Sequence, residues 1–147
     1  MSSDRKIISR FTGEYAFLSN FYPVTILYMG EAFRSVEHAY QASKTDDPEW
    51  HRRIRDAATS GKAKVYGRRA PMKPEWKEDE TRLRVMEEIL RLKFSISGLR
   101  RKLNDTKPCE LVEGNFWRDR FWGVYEGEGE NYLGKLLMKI RDGVPEE

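Results

Sequence analysis

Within SVEHAYQASK (35–44), Glu37, Tyr40, Gln41 and Lys44 fall at i, i+3, i+4 and i+7. On a helix that spacing gathers them on one face. A carboxylate, a phenol, an amide and an amine set side by side form the mixture a polar ligand needs. A solvated helix face is the competing reading, because most charged stripes are that. The stripe follows an aromatic loop, FLSNFYP (17–23), with Phe17, Phe21 and Tyr22, which favours a ligand.

Two further groupings carry chemistry. Gly67-Arg68-Arg69 precedes a proline-marked loop that ends at Trp76. Trp76 could stack on a planar base and Arg68 could neutralise a phosphate; alternatively Trp76 plugs the edge of the core. In NFWRDRFWG (115–123), Trp117, Phe121 and Trp122 crowd around Asp119, with Arg118 and Arg120 beside it. Rings interleaved with arginine bind bases or single strands. A carboxylate among rings is partly desolvated, an arrangement common where chemistry is done. An Asp119–arginine surface pair over a packed aromatic cluster explains the same residues.

The elements that must position these groups follow from pattern and punctuation. A short strand is expected over 5–11. The β-branched run 24–28, turned by Met29-Gly30-Glu31, pairs with 32–34 as a hairpin. Ser35 caps a helix to about Lys44. Asp47-Pro48 opens another to about Thr59. Ser60-Gly61 breaks it, and a short helix follows to Arg69. The clearest helix covers 78–95, where Leu83, Met86, Leu90 and Phe94 repeat on one face, widened by Val85 and Ile89. Gly98 limits it, before a short helix over 99–104. A brief strand at 110–113, a glycine- and aromatic-rich loop over 114–130 and a helix over 131–141 complete the chain. Leu133, Leu136, Leu137 and Ile140 face inward on that last helix, and Gly143 ends it. The class is α+β: a helix-rich, compact single domain over 1–147 with a few short, mostly antiparallel strands.

Composition removes several functions. There is no GxGxxG or GxxxxGK[ST] phosphate loop. Cys109 is the only cysteine, so no intramolecular disulfide forms, and one cysteine with His38 and His51 is too few for a Cys/His zinc site. No metal or organic cofactor is expected. No run approaches the ~20 apolar residues of a membrane helix, and Met1–Ser9 lacks the apolar core of a leader, so a cytoplasmic protein with no membrane contact is expected. A net charge of +3 and a pI near 9.0 suit a phosphate-bearing ligand or weak nucleic-acid contact, as well as a plain solvated surface. No motif bears on oligomeric state.

Taken in order, FLSNFYP (17–23), SVEHAYQASK (35–44), GRR…KPEW (67–76), LVEG (111–114), DRFWG (119–123) and NYLGKLLMKIR (131–141) resemble the YbiA-like, or NADAR, family over nearly the whole chain. The resemblance implies a compact α+β domain that hydrolyses N-glycosidic bonds. One branch of that family cleaves phosphoribosylamino-pyrimidine intermediates of riboflavin synthesis and releases ribose 5-phosphate. Another removes ADP-ribose from modified guanine in nucleic acid. Both substrates share a ribosyl C1′–N bond and phosphate. By this resemblance Glu37 and Asp119 are the catalytic candidates, and Asn20, Phe21, Gln41, Lys44, Arg68, Trp76 and Trp122 the substrate-binding ones. Glu37 stabilises the ribosyl cation and positions water, Asp119 assists, Trp76 and Trp122 stack on the base, and Lys44 and Arg68 hold phosphate. A non-catalytic module that binds ADP-ribose or nucleic acid would share the rings and cations but would not need both carboxylates.

Overall fold

The computed structural model describes residues 6–143. In chain order they form β1 (Ile7–Ile8), a 3-10 turn (Gly13–Leu18), β2 (Ile26–Tyr28), β3 (Glu31–Phe33), α1 (Val36–Ser43), α2 (Pro48–Arg55) and α3 (Ser60–Arg69). A second 3-10 turn (Pro74–Lys77), α4 (Asp79–Lys93), α5 (Ser97–Asn104), β4 (Glu110–Leu111), β5 (Gly114–Asn115), β6 (Val124–Tyr125) and α6 (Tyr132–Asp142) follow. The class is helix-rich α+β. The chain divides into two compact units, Asn20–Ser95 and the paired segments Met1–Ser19 and Ile96–Glu147.

In the first unit, caps set the helix boundaries. The Ser35 hydroxyl accepts from His38 N at 3.1 Å and opens α1. Asp47 Oδ1 accepts from Glu49 N and Trp50 N, with Pro48 at the first position of α2. α2 stops at Arg55, short of the expected Thr59. The reason is local: Thr59 is extended and its hydroxyl takes Lys62 N at 3.0 Å, so it caps α3. Ser60-Gly61 therefore starts a helix instead of breaking one. β2 and β3 form an antiparallel hairpin, turned by Met29 and Gly30 with φ of 52° and 83°. Two positive φ values in a two-residue turn match the twist of paired strands. α4 buries Val85, Met86, Ile89 and Leu90, and the three helices α1, α2 and α3 pack on one another.

In the second unit, β1 pairs with β4 and β5 with β6, both parallel. The expectation of mostly antiparallel strands thus holds only for the hairpin. These parallel pairs bring together segments that no tight turn connects. β5 and β6 also lie inside the region expected to be all loop, and Gly98 lies inside α5, which opens one residue earlier. Asn131 anchors the start of α6: its Oδ1 accepts from Glu113 N at 2.9 Å and its Nδ2 donates to Leu111 O at 3.0 Å. Leu133 and Leu137 are buried, while Leu136 and Ile140 are half-buried. Among the described residues no helix is long and apolar enough to cross a membrane.

Candidate active site

Every residue of α1 from Val36 to Ala42 is buried. A helix with no open face cannot carry a solvated stripe, so that reading of Glu37, Tyr40, Gln41 and Lys44 falls. The polar groups satisfy one another instead. Lys44 Nζ donates to Gln41 Oε1 at 3.0 Å, and Gln41 Nε2 donates to Glu37 Oε2 at 2.8 Å. The amide relays between amine and carboxylate, and both Glu37 and Gln41 are only 7% exposed. Hydrogen bonding of this kind is what a buried carboxylate requires. Burial pushes the Lys44 amine below its ordinary pKa; Glu37 pulls it back up, while Arg68 and Arg82 push it further down. Arg68, though exposed, is thus electrically part of this grouping.

Three neighbours complete the arrangement in this unit. Asn20 O accepts from Glu37 N at 3.0 Å, which ties the FLSNFYP loop to the first turn of α1. Asn20 Nδ2 reaches Met86 Sδ at 3.6 Å, and its buried Oδ1 has no hydrogen-bond partner among the described residues. Gly67 on α3 lies against Gln41, where a Cβ would overlap the amide. Phe21 is 41% exposed, with Lys64 Nζ at 5.8 Å from its ring. Sequence reasoning missed Lys64. The available signal was its place four residues before Arg68, one turn away on the same face of α3.

Trp76 is 2% exposed and packs against Tyr40, ring centroids 5.5 Å apart and tilted by 50°; it also lines a cavity with Tyr28, Thr81 and Val85. Among the candidates of this unit the exposed ring is Phe21. The Trp76 Nε1 is buried with no hydrogen-bond partner among the described residues.

Asp119 and Trp122 belong to the other compact unit. Asp119 Oδ1 accepts from Phe121 N at 3.0 Å and Trp122 N at 2.8 Å. Asn115 clamps the same turn, donating to Asp119 O at 2.9 Å and accepting from Asp119 N at 3.0 Å. The surface pair with arginine is therefore replaced by an Asx turn. Arg120 lies over the Tyr125 ring at 4.9 Å, 3.8 Å from Glu126. Trp122 is half-buried, edge to face with Phe121 at 4.8 Å. Trp117, beside it in the sequence block, is 46% exposed.

A family model for the NADAR domain matches residues 9–144. The chain belongs to the NADAR family. The match runs through both compact units and includes Glu37 and Asp119. A NADAR relative from Escherichia coli, N-glycosidase YbiA, is 34% identical over 133 residues, covering 88% of this chain and 81% of YbiA. Riboflavin biosynthesis protein VVA0006 of Vibrio vulnificus is also 34% identical, over 134 residues. That match covers 90% of this chain but 36% of the Vibrio protein, so the chain spans only about a third of it. The solved NMR structure of E. coli YbiA superposes with a TM-score of 0.83 at 32% identity, covering 96% of this chain and 86% of that one. N-glycosidases are hydrolases acting on N-glycosyl compounds.

Proposed function

We propose that this NADAR chain is an N-glycosidase that hydrolyses a ribosyl C1′–N bond in a phosphorylated substrate. The observation that carries the reading is the buried relay from Lys44 through Gln41 to Glu37. Cleavage sends the C–N bonding pair to nitrogen, which takes up a proton, and leaves oxocarbenium character on the ribose. Water oxygen then bonds to C1′ and gives up a proton. A carboxylate held in place stabilises the cation more than the neutral ground state, which is what lowers a barrier. Gln41 holds Glu37 in that role without neutralising it, because an amide brings no net charge. Glu37 also orients the water. Lys44 and Arg68 hold phosphate, and Phe21 lies along the leaving base. Asp119 and Trp122, in the other compact unit, carry over from the family resemblance as second carboxylate and stacking ring. Two substrate classes fit: a phosphoribosylamino-pyrimidine, releasing ribose 5-phosphate, and ADP-ribosylated guanine in nucleic acid, releasing ADP-ribose. The names of the YbiA relatives support the bond class, and that of the Vibrio relative supports the first substrate.

The test is a paired assay on both substrates, with products read by mass spectrometry. Wild type is expected to cleave at least one, and Glu37→Gln to lose about 10²–10⁴ in turnover while remaining folded. Near-full turnover by folded Glu37→Gln would remove Glu37 from this role. Binding of ADP-ribose or nucleic acid without any product would make the chain a recognition module.

A further inference from the structure

Buried polar groups on α1 find partners inside the protein. Gln41 serves both Glu37 and Lys44, and the Ser35 hydroxyl meets His38 at N and at Nδ1, 3.1 and 2.7 Å away. The Asn20 side chain beside them is different. It is 7% exposed, and its Oδ1 receives no hydrogen bond among the described residues. Its Nδ2 is spent on Met86 Sδ at 3.6 Å. That contact fixes which way the amide points, because reversing it would set the oxygen against a sulfur with no proton to give. A buried amide oxygen without a donor is costly, and in native proteins it marks a place that water or a ligand completes.

The same residue is held still. Asn20 O accepts from Glu37 N at 3.0 Å, and the next carbonyl, Phe21 O, accepts from Ser60 Oγ at 2.9 Å. Met86, the side-chain partner, is 1% exposed on α4. Two backbone hydrogen bonds and one core side chain therefore pin the Asn20 amide. One of those bonds ties it directly to the residue that carries the Glu37 carboxylate. An acceptor fixed in advance costs no reorganisation when its partner arrives. What Oδ1 lacks is a proton donor.

We propose that Asn20 Oδ1 accepts a hydrogen bond from the ribose 2′-hydroxyl of the substrate and makes the site selective for ribosyl over 2′-deoxyribosyl N-glycosides. This contact rests on the N-glycosidase reading, with Glu37 facing C1′. Near C1′ such a substrate offers protons from two groups: the 2′-hydroxyl on the neighbouring carbon and the glycosidic nitrogen. The ring oxygen and an ionised phosphate only accept, and the attacking water is oriented by Glu37. As the C–N bond breaks, nitrogen gains electron density and its N–H weakens as a donor. The 2′-hydroxyl changes the other way: positive character at C1′ draws density from it and strengthens its hydrogen bond. An acceptor for that hydroxyl helps most in the transition state, whereas an acceptor for the nitrogen would oppose the reaction. An amide oxygen is too weak a base to remove the hydroxyl proton, so it binds the group without ionising it.

The experiment measures kcat/KM on each ribosyl substrate and on its counterpart lacking the 2′-hydroxyl at the ribose that carries the scissile bond. Wild type, Asn20→Leu and Met86→Leu are compared, with thermal melts to confirm folding. Deoxyribosyl compounds break more readily on their own, and that difference cancels when a variant's preference is divided by that of wild type. Asn20→Leu should slow the ribosyl substrate about tenfold or more and leave the deoxyribosyl one within about twofold. A merely structural role would slow both alike. Met86→Leu keeps core volume but lets the amide turn, and should lower the ribosyl preference about threefold or more. An unchanged preference in folded Asn20→Leu would overturn the proposal and leave water as the partner of Oδ1. If Asn20→Leu does not fold, an unchanged preference in Met86→Leu overturns it equally. Should wild type cleave neither pair, calorimetric titration of ribose 5-phosphate against 2-deoxyribose 5-phosphate reads the contact without turnover. A preference of about fivefold for ribose 5-phosphate, lost in a variant, would keep the contact and remove the glycosidase reading. Equal binding of the two sugars, or none, would remove both.

Discussion

A single methyl group tests the relay at the level of residues. The Gly67 helical conformation suits any residue; it is the approach of Gln41 that demands glycine. Gly67→Ala should push the Gln41 amide off Glu37, lower turnover tenfold or more and cost about 1–3 kcal/mol of stability. Steady-state rates and urea unfolding measure the two effects. Adding Gln41→Ala should recover stability but not turnover, a coupling that only a direct clash produces. Lys93 offers a second test. It is fully buried, lies 5.5 Å from the Tyr22 ring and 5.0 Å from that of Phe94, and burial pushes its pKa down to about 7. An unfolded lysine titrates near ~10.4. Between those values the unfolded chain holds a proton the folded chain lacks, so the lysine's penalty is full below about pH 7 and shrinks as pH rises. The stability of wild type relative to Lys93→Met should therefore climb from pH 7 to ~10, by at most ~1.4 kcal/mol per pH unit. A flat difference across that window in urea unfolding would refute it. Nothing in the sequence marks Lys93 as buried: it follows Arg91 and Leu92 like any lysine at the end of an amphipathic helix, and only tertiary packing covers it.

Among the elements, legibility depended on whether the deciding interaction was local. Ser35 and Asp47-Pro48 are caps whose partners lie two or three residues away, and both were readable. So were the Met29-Gly30 turn and the apolar stripe of α4. Thr59 is a local cap as well, but Ser60-Gly61 beside it obscured the signal. β5 and β6 owe their pairing to a turn closed by Asn115 and Asp119, and two-residue strands carry no periodicity to read. The grouping of Glu37, Gln41 and Lys44 was visible as helical spacing; the burial that decides its meaning was not, because it comes from other elements packed on α1. The packing of Trp76 against Tyr40 was likewise not legible, because it comes from tertiary contact between α1 and the second 3-10 turn. Asp119 separates turn from chemistry. Asp119→Ala removes the acceptor for Phe121 N and Trp122 N and should cost about 1–2 kcal/mol, in line with loss of a side-chain cap. Asp119→Asn keeps that acceptor and removes the charge. If the proposed second carboxylate is used, turnover should fall about tenfold or more in folded Asp119→Asn, with thermal stability near wild type. Full activity in that variant would make Asp119 a turn residue alone.

At the scale of the molecule, the modest total of +3 conceals an uneven distribution. Segment 59–77 holds six of the 27 Lys and Arg residues but one of the 24 Asp and Glu, so the remainder of the chain is slightly acidic. A field concentrated in one segment raises the capture rate of an anion without altering the chemistry that follows. Salt weakens it, since screening reaches ~10 Å at 0.1 M and exposed cations such as Lys62 and Arg69 lie in open solvent. The buried contact between Gln41 and Glu37 is screened far less. Raising NaCl from about 50 to 200 mM should therefore lower kcat/KM while kcat holds, and the fall should steepen with the number of phosphates on the substrate. A ribose monophosphate should lose only a few-fold; an oligonucleotide engaging several phosphates should lose about 10² or more. Lys62→Glu with Arg69→Glu should flatten the oligonucleotide curve and leave the monophosphate curve where it was. Parallel curves for the two substrates in wild type would mean that the basic segment plays no part in capture, and that the excess of positive charge on α3 is ordinary surface.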